Sequence, residues 1–208
     1  MKTDFDTKAA LKHFKKVDGK MAAMFAAAST HENPVRMRAA KPKGKYFESI
    51  VGSIVSQQIS VKAADAVWKK FTKGVGKITP ENLKTRSIDE LRTYGVSRQK
   101  ANYIIKSAEI WETLPVAKFA TMDNEAVIAE LTKLYGIGRW TAEMFLMFTL
   151  ARPDVFSMGD WGLLTSIKHN YKLDPTKKTH LKKIEKLTAS WSPHRTLASL
   201  TLWHHKDN

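Results

Sequence analysis

The chain has 208 residues, 43% of them hydrophobic and 10% aromatic, enough for a buried core in one large domain or two small ones. Lys and Arg number 35 against 20 Asp and Glu, a formal charge of +15 that calls for a polyanionic partner, nucleic acid first. There is no cysteine, which excludes disulfides, thiolate zinc sites and cysteine-held iron–sulfur clusters.

No apolar run approaches the ~20 residues of a membrane span, and residues 1–6 lack a signal-type apolar stretch. A cytoplasmic protein with access to the genome is expected, nucleoid-associated in a bacterium or nuclear in a eukaryote.

Almost every segment carries helical signals. Residues 7–16 and 20–28 are predicted as short helices, with Asp6 and Asp18 as caps. Residues 29–45, with two prolines, many charges and little periodicity, read as a connecting loop. Phe47, Ile50, Val51, Ile54 and Val55 have the spacing of a core-facing helix. Ser60 is placed to cap a helix holding Val61, Ala64, Val67, Trp68 and Phe71. Thr79-Pro80 puts a cap before proline at the first helical position, and Ser87 to Glu90 has capping-box spacing, its short helix ending at Gly95. Ser97 opens the next helix, and Pro115 closes it. Asp123 or Thr121 starts the helix that leads into Gly136-Ile-Gly138, and residues 138–150 lead out. Asp174-Pro175 and Ser192-Pro193 mark the last two helix starts. No stretch alternates long enough for a strand, so the expectation is an all-α fold of about ten helices.

Two features carry chemistry. Gly136 and Gly138 permit a tight turn whose amides, at the start of a helix, can grip an anion such as a DNA phosphate. Taken alone, Gly-x-Gly is more often an ordinary helix connection with a glycine cap. Asp160 lies where another helix begins and reads either as an N-cap or as a working carboxylate.

The surrounding residues decide between these readings. Leu134-Tyr-Gly-Ile-Gly-Arg-Trp-Thr-Ala142, followed by Asp154-Val-Phe-Ser-Met-Gly-Asp160, resembles the helix-hairpin-helix-Gly/Pro-Asp superfamily of DNA glycosylases, and within it the DNA-3-methyladenine glycosylase II (alkylbase) branch. Ile54-Val-Ser-Gln-Gln-Ile-Ser-Val-Lys-Ala-Ala64, Gly95-Val-Ser-Arg-Gln-Lys-Ala101 and residues 195–203 extend the likeness. It implies a two-lobed helical bundle forming one compact unit over 1–208, with lobes 46–130 and 1–45 plus 131–208 and the active site in the cleft between them. The stretch before the first motif is short and reads as helix and loop, so the compact form of the family is expected.

The resemblance makes Asp160 the essential carboxylate, stabilising positive charge that builds on the deoxyribose as the N-glycosidic bond breaks. Asp154, the nearest competing acid, is left a structural role. Some relatives carry a lysine after Gly-x-Gly-Arg, which forms a Schiff base and nicks the strand. Here that place holds Trp140, so a monofunctional enzyme without AP-lyase activity is implied. Trp140, Trp161 and Trp203 are candidates for the base pocket, where an indole face attracts a cationic alkylated purine. Met144 belongs to the same pocket, in place of an aromatic found in some members. At the junction 57–59, Gln58 is the expected plug for the flipped-base gap, with Ile59 and Gln57 beside it.

Gly136, Ile137, Gly138, Arg139 and Thr141 are the implied phosphate contacts, with Lys62, Arg98 and Lys100 as further candidates. Carbonyls of Thr132, Leu134 and Ile137 are implied ligands for a monovalent cation, Na+ or K+; no cofactor is expected in the chemistry itself. The reading is a monomeric glycosylase releasing 3-methyladenine- and 7-methylguanine-type bases from double-stranded DNA in base excision repair. Alternatives are a same-fold enzyme for uracil, mismatched thymine or oxidised purine, or a non-catalytic DNA-structure-binding module.

Overall fold

The computed structural model describes residues 7–207. Among them are twelve α-helices, three short 3-10 turns and no strand, in agreement with the all-α expectation. No helix among the described residues is long and apolar enough to cross a membrane. The helices are α1 (Thr7–Val17), α2 (Gly19–Thr30), α3 (Tyr46–Ser56), α4 (Val61–Val75), α5 (Pro80–Leu83), α6 (Ile88–Thr93), α7 (Arg98–Ile110), α8 (Asn124–Leu131), α9 (Arg139–Phe148), α10 (Trp161–Tyr171), α11 (Lys178–Ser190) and α12 (Arg195–Asp207).

The capping residues read from the sequence do what their side chains allow. Asp18, Ser60, Thr79, Ser87, Ser97 and Asp123 each accept an N–H from the first turn of the following helix. The Asp6 cap lies outside the described residues. Two expected starts are displaced because their side chains are committed elsewhere. Asp174 binds the N–H and hydroxyl of Thr176, which pull its pKa down to about 2, and α11 begins only at Lys178. Ser192 donates its hydroxyl to Asp154, and α12 begins at Arg195.

The chain divides into two compact units, residues 41–145 and residues 1–40 with 146–208. In the middle unit α3 buries Tyr46, Phe47, Ile50, Val51, Ile54 and Val55, and packs on α4 and α7. α7 packs in turn on α5 and α6. This unit reaches further than the expected boundary at 130. The hairpin and most of α9 belong to it because Phe145 packs edge-on against Tyr46 (5.5 Å) and Phe119 (6.3 Å). In the terminal unit α2 packs on α1, and both α2 and α10 on α12, over a core that includes Phe14, Phe25, Ile167, Ile184, Trp191 and Leu202. Asp18 ties this core together. Besides capping α2, it accepts the Tyr171 hydroxyl and the Trp191 indole N–H, each at 2.8 Å. Burial and the Asp18 carboxylate push the Tyr171 phenol well above its ordinary pKa.

Candidate active site

The hairpin in the middle unit joins α8 to α9. Ile137 N–H closes the turn on the Leu134 carbonyl, and Gly138 O receives Ala142 N–H as α9 begins. Gly136 is obligatory: its φ is +74°, and a Cβ would stand 2.3 Å from the Tyr103 ring. Gly138 has a different reason to be small. A Cβ there would meet nothing in the protein within 4 Å, so the open space lies on the outer face, at the N-terminus of α9 where an anion is favoured.

Several of the expected phosphate contacts are engaged within the protein. Arg139 is gripped by two carboxylates, bidentately by Glu125 on α8 and through Nε by Glu143 on α9. The Glu125 hydrogen bond raises the Arg139 pKa further and lowers that of Glu125. The guanidinium therefore bolts the hairpin helices together instead of offering an uncompensated charge. Ile137 spends its amide inside the turn. Lys100 donates to the carbonyls of Val55 (2.8 Å) and Gln57 (2.6 Å), closing the C-terminus of α3, and burial lowers its pKa. Arg98 pairs with Asp89. Thr141 is buried, while Lys62, like Arg98, Gly138 and Arg139, is exposed.

The 57–59 junction is built to hold its tip out. Gln57 turns inward and donates Nε2 to the Gly136 carbonyl at 2.8 Å, fastening the junction to the hairpin. That removes Gln57 from the candidate plugs. Gln58 follows with φ +58°, a left-handed backbone that costs a non-glycine residue about 1–2 kcal/mol, and its side chain is exposed. Ile59 is exposed too, and Val61, the first residue of α4, is 80% exposed. The tip thus offers one amide and two branched apolar side chains. Beside it, Gln58, Ile59, Trp68, Trp140, Thr141 and Met144 share the wall of a cavity of about 1050 Å³ within the middle unit. Trp140, at 46% exposure, and Met144 line this cavity, and Trp68 lines it as well.

In the terminal unit Asp160 is both cap and focus. It precedes α10, is 8% exposed, and its Oδ1 accepts Leu163 N–H at 2.8 Å and the Trp203 indole N–H at 3.2 Å. Trp203 therefore presents its edge to the carboxylate, and one ring face stacks on Phe148 (6.0 Å, 28°). Gly162 makes the geometry possible: a Cβ there would lie 3.0 Å from Asp160 Oδ1 and 3.4 Å from Trp203 Nε1. Trp161 stands 66% exposed at the first position of α10 and does not line the cavity beside Trp140. Asp154, the competing acid, is fixed by Arg195 and Ser192. Burial pushes its pKa up, but these hydrogen bonds outweigh that and leave it below the ordinary value.

Sequence reasoning missed Phe148 and Gly162. Phe148 carries a weak signal, a large aromatic that is 45% exposed on an otherwise buried helix turn. A glycine in the first turn of a capped helix is the only signal Gly162 gives.

Residues 51–193 match the family model described as HhH-GPD superfamily base excision DNA repair protein. The chain belongs to this superfamily. Among similar proteins, DNA-3-methyladenine glycosylase 1 of Schizosaccharomyces pombe is 33% identical over 77% of this chain and 72% of its own length. The alkylbase DNA glycosidase-like protein mag2 of the same yeast is 28% identical over 98% of this chain and 95% of its own. Among solved structures, DNA-3-methyladenine glycosidase from Bacillus halodurans superposes with a TM-score of 0.78 at 33% identity, covering 98% of this HhH-GPD chain and 90% of that one. The S. pombe enzyme Mag1 in complex with abasic DNA gives 0.78 at 25%, covering 96% and 97%.

Proposed function

We propose that this HhH-GPD protein is a monofunctional DNA glycosylase that hydrolyses the N-glycosidic bond of alkylated purines in double-stranded DNA. The observation that carries the reading is Asp160: a nearly buried carboxylate held in one orientation by a helix N–H and an indole N–H. In the proposed reaction the C1′–N bond breaks with its electron pair passing to the base. A purine alkylated at N3 or N7 is already cationic and leaves neutral. The sugar becomes an oxocarbenium-like cation facing Asp160, which lowers its energy. Water then adds to C1′ and gives its proton to the carboxylate or to solvent. The names of the relatives, DNA-3-methyladenine glycosylases and an alkylbase glycosidase-like protein, support the substrate class, and the abasic DNA in one structural relative supports the partner.

The absence of lyase chemistry is inferred from the amines. Position 140 holds tryptophan, and the nearby lysines are paired, Lys133 with Glu130 (2.7 Å) and Lys168 with Asp174 (3.3 Å). A Schiff base needs a free amine at C1′, and both of these lysines are held by carboxylates. The carbonyls of Thr132, Leu134 and Ile137 are hard neutral oxygens suited to a monovalent cation that would bridge to a phosphate. Leu134 O already accepts one N–H and keeps its second lone pair.

The test is a base-release panel on duplexes carrying 3-methyladenine, 7-methylguanine, uracil and 8-oxoguanine, with borohydride present in a parallel set. Release of the methylpurines without a trapped covalent complex is expected. Release of uracil or 8-oxoguanine alone would overturn the substrate assignment, and a trapped complex would overturn the monofunctional one.

A further inference from the structure

The segment 31–38 leaves α2 and crosses the terminal unit as an extended strap. It is fastened at its start and in its middle: the His31 ring meets the His204 ring edge-on at 4.7 Å, and Val35 N–H donates to Ala28 O at 3.0 Å. Along it the side chains alternate, as an extended chain requires. Val35 and Met37 turn onto the core, while Arg36 and Arg38 are exposed.

These two arginines differ from the others. Of the eight in the chain, Arg86, Arg92, Arg98, Arg139 and Arg195 form ion pairs, and Arg152 is engaged. Arg36 and Arg38 pair with no acid among the described residues, whereas five of the other six arginines do. They also border a cavity of about 510 Å³, within the size range of small-ligand sites. Its other walls include Met147, Phe148 and Trp203. Trp203 is the ring whose N–H holds Asp160, so whatever stands against it lies beside the carboxylate. Aromatic and thioether walls suit a planar base. Two uncompensated guanidinium groups at the rim suit phosphate oxygens, which they bind bidentately; a cationic base entering alone would be repelled.

We propose that Arg36 and Arg38 form a phosphodiester clamp on the target nucleotide, a DNA contact additional to the hairpin. The clamp rests on the reading of Asp160 as the working carboxylate. Each phosphate contact contributes about 0.9 to the slope of log K against log salt, so two contribute about 1.8. The test compares wild type, Arg36→Gln/Arg38→Gln and Arg36→Lys/Arg38→Lys on a duplex with a tetrahydrofuran abasic analogue and on the same duplex undamaged, from 50 to 200 mM KCl. The wild-type loss of affinity across that range should shrink about twelvefold in the glutamine pair on the abasic-analogue duplex. It should stay unchanged on the undamaged one, and the lysine pair should keep the wild-type slope. An unchanged slope in the glutamine pair, or the same change on both duplexes, overturns the clamp. Because binding is read on a base-free analogue, a wild type that releases no methylpurine would refute the proposed function while leaving this measurement intact.

Discussion

Replacing Asp160 by Asn separates charge from structure. Asn caps helices as well as Asp does, and its carbonyl oxygen can accept the same bonds from Leu163 N–H and Trp203 Nε1. Only the negative charge is lost. With the developing cation about 4 Å away and an effective dielectric near 20, that charge contributes about 4 kcal/mol of attraction, or about a thousandfold in rate. The assay is single-turnover release of 3-methyladenine and 7-methylguanine from methylated duplex, with duplex affinity and thermal unfolding measured on the same preparations. Release should fall about a thousandfold, affinity should persist, and Tm should move by less than about 2 °C. Asp160→Ala should lose a further ~1 kcal/mol of stability with the cap, and no more activity. Release by Asp160→Asn within tenfold of wild type would refute the electrostatic role.

Gly162→Ala places a methyl 3.0 Å from the carboxylate oxygen; activity should drop about a hundredfold, the scale of a 1 Å misplacement, while urea unfolding shows little loss of stability. Trp203→Phe keeps the stack on Phe148 and removes the N–H to Asp160, so kcat should fall about tenfold with KM nearly unchanged, in steady-state base release. Gly136→Ala should cost more than about 2 kcal/mol, from left-handed strain and the Tyr103 clash. Gly138→Ala should fold within about 1 kcal/mol of wild type yet bind duplex more weakly. Asp154 has a folded pKa below its unfolded value, so its contribution is complete above about pH 4 and is lost as pH falls through the folded pKa. Asp154→Asn should therefore lose about 2 kcal/mol at pH 7 and show a shallower stability decline below about pH 4.

What was legible in the chain was local. A Ser, Thr or Asp before a helical run needs only three residues to make its cap, and Asp18, Ser60, Thr79, Ser87, Ser97 and Asp123 all do so. Asp160 was legible for the same reason. Several misreadings involve partners far along the chain. Ser192 answers to Asp154, 38 residues away, and Arg139 to Glu125 across the hairpin. Lys100 reaches carbonyls more than 40 residues back. Val61 follows the apolar phase of α4 but faces outward beside a strained Gln58. A pattern of apolar residues marks which side of a helix is greasy, not whether that side meets protein or a ligand.

In the proposed mechanism the two readings of Asp160, helix cap and working carboxylate, are one arrangement. A carboxylate that is to stabilise a cation must be shielded from water, and shielding is costly unless hydrogen bonds replace the lost solvation. The N-terminus of α10 supplies one donor at no cost in reorganisation, and Trp203 supplies the second. Both converge on Oδ1, which fixes the carboxylate plane before any substrate arrives, as electrostatic preorganisation requires. Trp203 is held in turn by its stack on Phe148, and Gly162 keeps the approach clear. A disturbance at Phe148 should therefore reach the chemistry through two contacts, without touching the carboxylate itself.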